Sequence, residues 1–248
     1  MESKRLIPVL LYKNKGLYKG IKFKNHKYVG DPHNSIRVFN DKEVDELFLL
    51  DIEATILEKC PNINFIMRVA EECYMPFGIG GGIHTLDDIR KILHAGAEKV
   101  SINSKAILDP DFISKASKEF GSSTIAVAID YRKNLFGENI VYIKSGTIKT
   151  GIKLFKHAKA MENAGAGELL ITSINREGSE AGLDLHLFQK ITNNISIPII
   201  ASGGIGSEQN IVDASQIDGL SAIAAGSFFT FRGPNRSVLI SYRNPLSN

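Results

Sequence analysis

Two carboxylates stand where short apolar runs end: Asp51 closes the run 46–51 and Asp130 closes 125–130. An acid at the end of a buried strand can take or give a proton in front of a bound substrate, and it can equally anchor a neighbouring loop. Asp51, followed by Ile-Glu-Ala-Thr, fits the anchor better, whereas Asp130 fits acid–base chemistry better. Two glycine-rich turns have a second kind of chemistry. Gly80-Gly81-Gly82 follows the run 77–79, and Ser202-Gly203-Gly204 follows 197–201. Without a Cβ, glycine lets backbone N–H groups come close to a phosphate. Asn103-Ser104 and Gly226-Ser227 follow two further runs and add small polar donors. One such turn is as easily a tight bend. Two pairs, related by a repeat, point to a phosphorylated small molecule held at both ends.

The repeat also names the elements that must hold these residues. Residues 76–104 and 198–227 share one pattern: apolar strand, glycine-rich turn, helical stretch, second strand, small polar residues. The offset of about 122 residues recurs between 47–52 and 169–174, and between 7–11 and 126–130. Each half holds about four strand–helix units, and eight such units close a parallel barrel. The fold class expected is therefore α/β, a (β/α)8 TIM barrel built from two repeated half-barrels. It would be a single domain over residues 1–248, with halves of about 1–122 and 123–240. The strands fall at 6–11, 46–51, 77–79, 99–102, 125–130, 168–172, 197–201 and 222–225. Helices are expected at 56–73, 86–95, 110–120, 154–164, 185–193 and 207–215, with N-caps at Thr85, Asp109 and Ser207. Residues 14–29 read as a long loop, 131–151 as an inserted hairpin, and the tail from Gly233 as a short, weakly ordered end.

Composition excludes several classes. A chain of 248 residues with 43% apolar and 23% charged residues can bury a full core. The net charge of +3 is a weak argument for a nucleic-acid partner, because the early lysines (Lys4, Lys13, Lys15, Lys19, Lys22, Lys24, Lys27) are interleaved with apolar residues rather than stacked on one face. There is no signal-peptide pattern and no apolar window of about 18 residues, so neither export nor a membrane is expected, and the default is a cytoplasmic protein. Cys60 and Cys73 lack metal-ligand spacing and read as partly buried thiols in a reducing compartment. No metal and no cofactor is expected.

Several segments together resemble the cyclase subunit family of imidazole glycerol phosphate synthase, the barrel half of a glutamine amidotransferase. They are LYKG with Lys19, VGDP at 29–32, ELFLLDI at 46–52, PFGIGGGIH at 76–84, KVSIN at 99–103, VAID at 127–130, GAGELLITSI at 165–174, REG at 176–178 and IIASGG at 199–204. The likeness runs nearly end to end, and the sister sugar isomerase of histidine synthesis fits these segments less well. It implies a lyase of cyclase type with two aspartates as general acid and base. The second falls on Asp130, and the first falls on Leu11, which can neither give nor take a proton. A third family acid, usually aspartate, falls on Glu177, after a turn that begins at Asn175. Gly178 joins the phosphate-binding set Gly81, Gly82, Asn103, Ser104, Gly203, Gly204, Gly226 and Ser227.

The resemblance further implies an ammonia gate at the opposite, amino-terminal end of the barrel, formed by Arg5, Glu46, Lys99 and Glu168. Met75, Pro76 and Glu98 match positions where a glutaminase subunit docks, giving a heterodimer. Departures gather at the chemistry while the gate is kept. That pattern resembles a paralogue group of bacterial surface-polysaccharide (lipopolysaccharide, O-antigen) clusters. There the barrel relays ammonia to a separate sugar amidotransferase that turns an acetamido group into an acetamidino group. The alternatives are a working cyclase of histidine biosynthesis and a non-catalytic barrel that senses a bis-phosphate.

Overall fold

The computed structural model describes residues 4–233 and 235–246. The chain opens with β1 (Arg5–Lys13), β2 (Gly16–Ile21), β3 (Lys24–Gly30), α1 (Pro32–Asn40) and β4 (Leu47–Asp51). It continues through α2 (Ile63–Glu72), β5 (Phe77–Gly80), α3 (Leu86–His94), β6 (Lys99–Ile102), α4 (Ser104–Leu108) and α5 (Phe112–Phe120). Then come β7 (Ile125–Lys133), β8 (Asn139–Ile143), β9 (Ile148–Lys153), α6 (Leu154–Asn163), β10 (Glu168–Ser173) and α7 (Leu185–Thr192). The last elements are β11 (Ile199–Ser202), α8 (Glu208–Ser215), β12 (Ala222–Ala225), α9 (Ser227–Thr230) and a two-stranded ribbon, Phe231–Arg232 with Ser237–Val238. Strands β1, β4, β5, β6, β7, β10, β11 and β12 pair in parallel in that order, and β12 returns to β1. The expected eight-stranded parallel barrel is therefore observed.

Side chains alternate between two cores, as a strand period of two requires. Leu6, Leu10, Leu47, Leu49, Val127 and Ile129 face the helices. Ile7, Val9, Phe48, Ala126, Leu170, Ile200, Ala222 and Ala224 face the lumen. Among the described residues no helix is long and apolar enough to cross a membrane.

Five local expectations change. Residues 14–29 form a hairpin, β2 with β3, rather than a loop. Asn14–Lys15 and Lys22–Phe23 are two-residue turns with both φ positive, the geometry that matches strand twist. Helix α2 starts at Ile63 rather than 56, because Pro61 interrupts and Asn62 caps by accepting from the Phe65 N–H at 3.1 Å. Asp109 does not cap a helix. It ends α4 and pairs with Lys105 at 3.0 Å, and α5 begins without a side-chain cap. The tail is packed rather than loose: Tyr242 is buried, stacks on Phe229 with centroids 5.2 Å apart, and its hydroxyl donates to the Leu6 carbonyl at 3.3 Å. Cys60 is exposed and only Cys73 is half-buried.

Thr85 and Ser207 cap α3 and α8 as expected. At α3 the cap is reciprocal: Thr85 Oγ1 accepts from the Asp88 N–H (3.1 Å) while Asp88 Oδ2 accepts from the Thr85 N–H (2.8 Å). Thr85→Ala should lower unfolding free energy by about 1 kcal/mol, read as an earlier midpoint in urea.

Candidate active site

At the amino ends of β1, β4, β6 and β10 the structure brings Arg5, Glu46, Lys99 and Glu168 together. Arg5 pairs with Glu46 and, at 3.1 Å, with Glu168. Lys99 Nζ lies 2.7 Å from Glu46 and 2.8 Å from Glu168. Each carboxylate thus meets both cations, and the four charges close a ring. The two glutamates are almost fully buried, which is tolerable only because each is doubly compensated. Burial works against the Arg5 charge, but the Glu46 and Glu168 carboxylates outweigh it and hold the guanidinium above its ordinary value. Around this end Pro76 and Glu98 are exposed, while Met75 is buried.

At the other end of the barrel lies a cavity of about 470 Å³. Its walls include Leu11, Leu50, Asn103, Asp130, Thr172 and Gly226, and its floor includes Val9, Ser101, Ala128 and Leu170. Asp130 Oδ2 accepts from Asn103 Nδ2 at 3.2 Å. Burial, helped by the negative charge of Glu177, pushes the Asp130 carboxyl up to about 7. Strand β1 contributes Val9 and Leu11 to the cavity, with no acid between them and Lys13. Asp51 is an anchor: its Oδ1 accepts from the Glu53 and Ala54 N–H groups, both at 2.9 Å.

The two cradles differ. The pairs Gly81–Gly82 and Gly203–Gly204 share the same left-handed backbone, which only glycine adopts easily. The first cradle is largely occupied by the protein itself. Gly82 N–H donates to Thr55 Oγ1 at 3.0 Å, and Ser104 Oγ accepts from Lys144 N–H at 3.0 Å. In the second, Ser227 Oγ is buried without a partner among the described residues, and Lys19 Nζ lies against Gly226. Gly178 packs on the Gly20 carbonyl, so it docks the β2–β3 hairpin against the segment after β10. Asn175 turns away from the cavity chemistry and accepts from the Lys133 N–H at 2.9 Å.

Lys19 and Glu177 form a buried ion pair in the cavity wall. Neither its pairing nor the part of Phe23 and His26 in lining the mouth was readable from residue types. The signal was the paired left-handed turns, disguised by lysine at positions usually held by glycine or asparagine.

The model of the histidine biosynthesis protein family matches residues 5–233. The chain belongs to this family. A Pseudomonas aeruginosa protein with the provisional name imidazole glycerol phosphate synthase subunit hisF2 is 47% identical over 242 residues, covering 98% of this chain and 96% of its own. The imidazole glycerol phosphate synthase subunit HisF of a Hydrogenobaculum species is 41% identical over 242 residues, with the same coverage of both chains. A Leptospira interrogans protein, provisionally named as a HisF subunit, is 42% identical over 248 residues, covering 98% of this chain and 96% of its own. The resemblance read from the sequence is thus confirmed at the level of the family.

The raised Asp130 carboxyl has a signed consequence for stability. The folded state holds this proton up to about 7, whereas an unfolded aspartate releases it near pH 4. Between those values the folded state binds more protons, so stability falls as pH rises, and above 7 the loss is complete. Asp130→Asn carries no charge to bury. It should be more stable than wild type at about pH 8 and lose that advantage at about pH 4, as read from denaturant midpoints at both values.

Proposed function

We propose that this chain is the barrel subunit of a glutamine amidotransferase complex. It receives ammonia from a glutaminase subunit docked at the amino face and delivers it through the lumen to an acceptor at the mouth. The acceptor chemistry is acetamidino formation on a nucleotide-linked sugar for surface polysaccharide, carried out by a separate amidotransferase in the cytoplasm. The observation that carries this reading is the pairing of a closed charged ring with a mouth where Leu11 stands across from Asp130, so that strand β1 offers no acid there.

The chemistry follows from that arrangement. Ammonia released into bulk water is protonated and lost, so a relay needs a dry route. Two positive and two negative charges cancel at the entrance, and apolar side chains continue above it. Pro76 and Glu98, exposed beside Lys99, offer the glutaminase a surface, while Met75 is buried. At the mouth, ring closure to an imidazole needs a proton given and a proton taken. Asp130 near neutrality suits one of these transfers, but leucine supplies neither. The orphaned Ser227 hydroxyl and Lys19 support a phosphate at the second cradle.

A second reading, a working cyclase of histidine biosynthesis, is favoured by the likeness to the Hydrogenobaculum HisF subunit and by the Asp130 carboxyl at about 7. A turnover assay with the family's ribulosyl substrate and an ammonium salt separates the two. Loss of one member of an acid–base pair should leave imidazole formation about 10²–10⁴ below a competent cyclase, and ordinary turnover would sink the relay reading.

The ring makes its own prediction. Lys99→Ala leaves Glu46 and Glu168 sharing Arg5 alone. In the reconstituted complex, product made per glutamine hydrolysed should fall several-fold, with glutaminase binding retained. An unchanged ratio would remove the gate from the mechanism.

A further inference from the structure

Between the charged ring and the cavity lies a layer that neither belongs to. Ile7, Phe48, Ala126, Ile200 and Ala222 face the lumen there, and each is fully buried. None of them lines the cavity above, whose floor is set by residues one step further along the strands. Phe48 is the one aromatic ring in this layer. In strand register Phe48 stands beside Gly78, and Gly78 stands beside Lys99 of the ring. The Phe48 side chain covers the bare backbone of Gly78: a Cβ built at 78 would stand 2.5 Å from Phe48 Cε1 and 2.8 Å from Cδ1. The aromatic ring's position therefore depends on glycine at 78, and it lies fully buried in the lumen core, one strand beyond Gly78 from Lys99.

We propose that Phe48 is a second, apolar closure of the bore that selects neutral ammonia over ammonium and water. This rests on the relay reading given above. The charged ring cannot make that selection alone, because its carboxylates attract a cation as readily as they admit a neutral molecule. An ammonium ion entering the Phe48 layer would lose its hydration and meet no partner, a heavy penalty in an apolar surround. Neutral ammonia is small and loses far less. Its passage needs the Phe48 ring to turn, since the lumen-facing side chains Ile7, Phe48, Ala126, Ile200 and Ala222 leave no surface accessible to a water-sized molecule. The two closures act in series: charge balance at the entrance, then an aromatic barrier that only an uncharged molecule crosses.

The test uses Phe48→Leu and Phe48→Val, with Gly78→Ala as the variant that displaces the ring without removing it. Two readouts are needed. The first is the crystal structure of the barrel, inspected for ordered water between Lys99 and Ser101. The second is product made per glutamine hydrolysed in the complete complex, with barrel, glutaminase, acceptor enzyme and a nucleotide-linked acetamido sugar. Wild type should be dry in that layer. The variants should admit water and lose coupling several-fold, while product formation from an added ammonium salt is unchanged. If Phe48→Val does not fold, Phe48→Leu and Gly78→Ala decide the matter. Ordered water around Phe48 in wild type, or wild-type coupling in variants with a dry layer, would overturn the proposal. If wild type itself forms no product from glutamine, the relay reading fails instead, and the dry layer still reports on Phe48.

Discussion

Four charges inside a barrel set the terms for everything built on them. Arg5, Glu46, Lys99 and Glu168 come from four different strands, and the pattern survives burial only if all four arrive in register. A slip of one residue in any of these strands would turn its charge outward and leave the others uncompensated. The ring therefore fixes the inward face of β1, β4, β6 and β10 from their first residues. Every second residue after that is committed to the lumen, so on these strands Ile7, Phe48, Ser101 and Leu170 follow the ring, and the cavity-lining Val9, Leu50, Asn103 and Thr172 follow them.

The mouth is held by a different logic. Its loops lock to one another rather than to the ring. The β2–β3 hairpin reaches the segment after β10 through the Lys19–Glu177 pair, the Lys22 N–H on the Glu177 carbonyl at 2.8 Å, and the Gly178 contact with Gly20. This separation lets residues at the mouth change without disturbing the foot. Leu11 shows it: the position is partly buried against the lumen core, and an apolar side chain there fits its neighbours as well as any acid would fit a substrate.

The barrel was legible because the sequence says the same thing twice. Short apolar runs at a fixed offset, each followed by a turn signal, fixed all eight strands to within a few residues. Errors came where one residue outweighed a pattern. Pro198 lacks an N–H and delays β11 to Ile199. Helix α1 was missed although Asp31 and Pro32 form its cap and first turn, because its apolar face is short. The hairpin after β1 was hidden by lysines in left-handed turns, and the packing of the tail rests on one tyrosine, Tyr242. At the site, the charges of the ring could be named from the sequence by resemblance, but their mutual distances could not. The unequal state of the two glycine-rich cradles depends on Thr55, Lys144 and Lys19, residues far from the glycine motifs in the chain.

The contact of Tyr242 with the Leu6 carbonyl gives the chain an unusual kind of circularity. It latches the segment around residue 242 onto the strand that begins the barrel, at the seam where β12 meets β1. Residues 6 and 242 are thus tied together across the seam. Gly121, between α5 and β7, is exposed, with nothing within 4 Å of where a side chain would stand. A circular permutant reopened at Gly121, with its original termini joined by a linker, would keep every barrel pairing of the described residues while exchanging which strands leave the ribosome first.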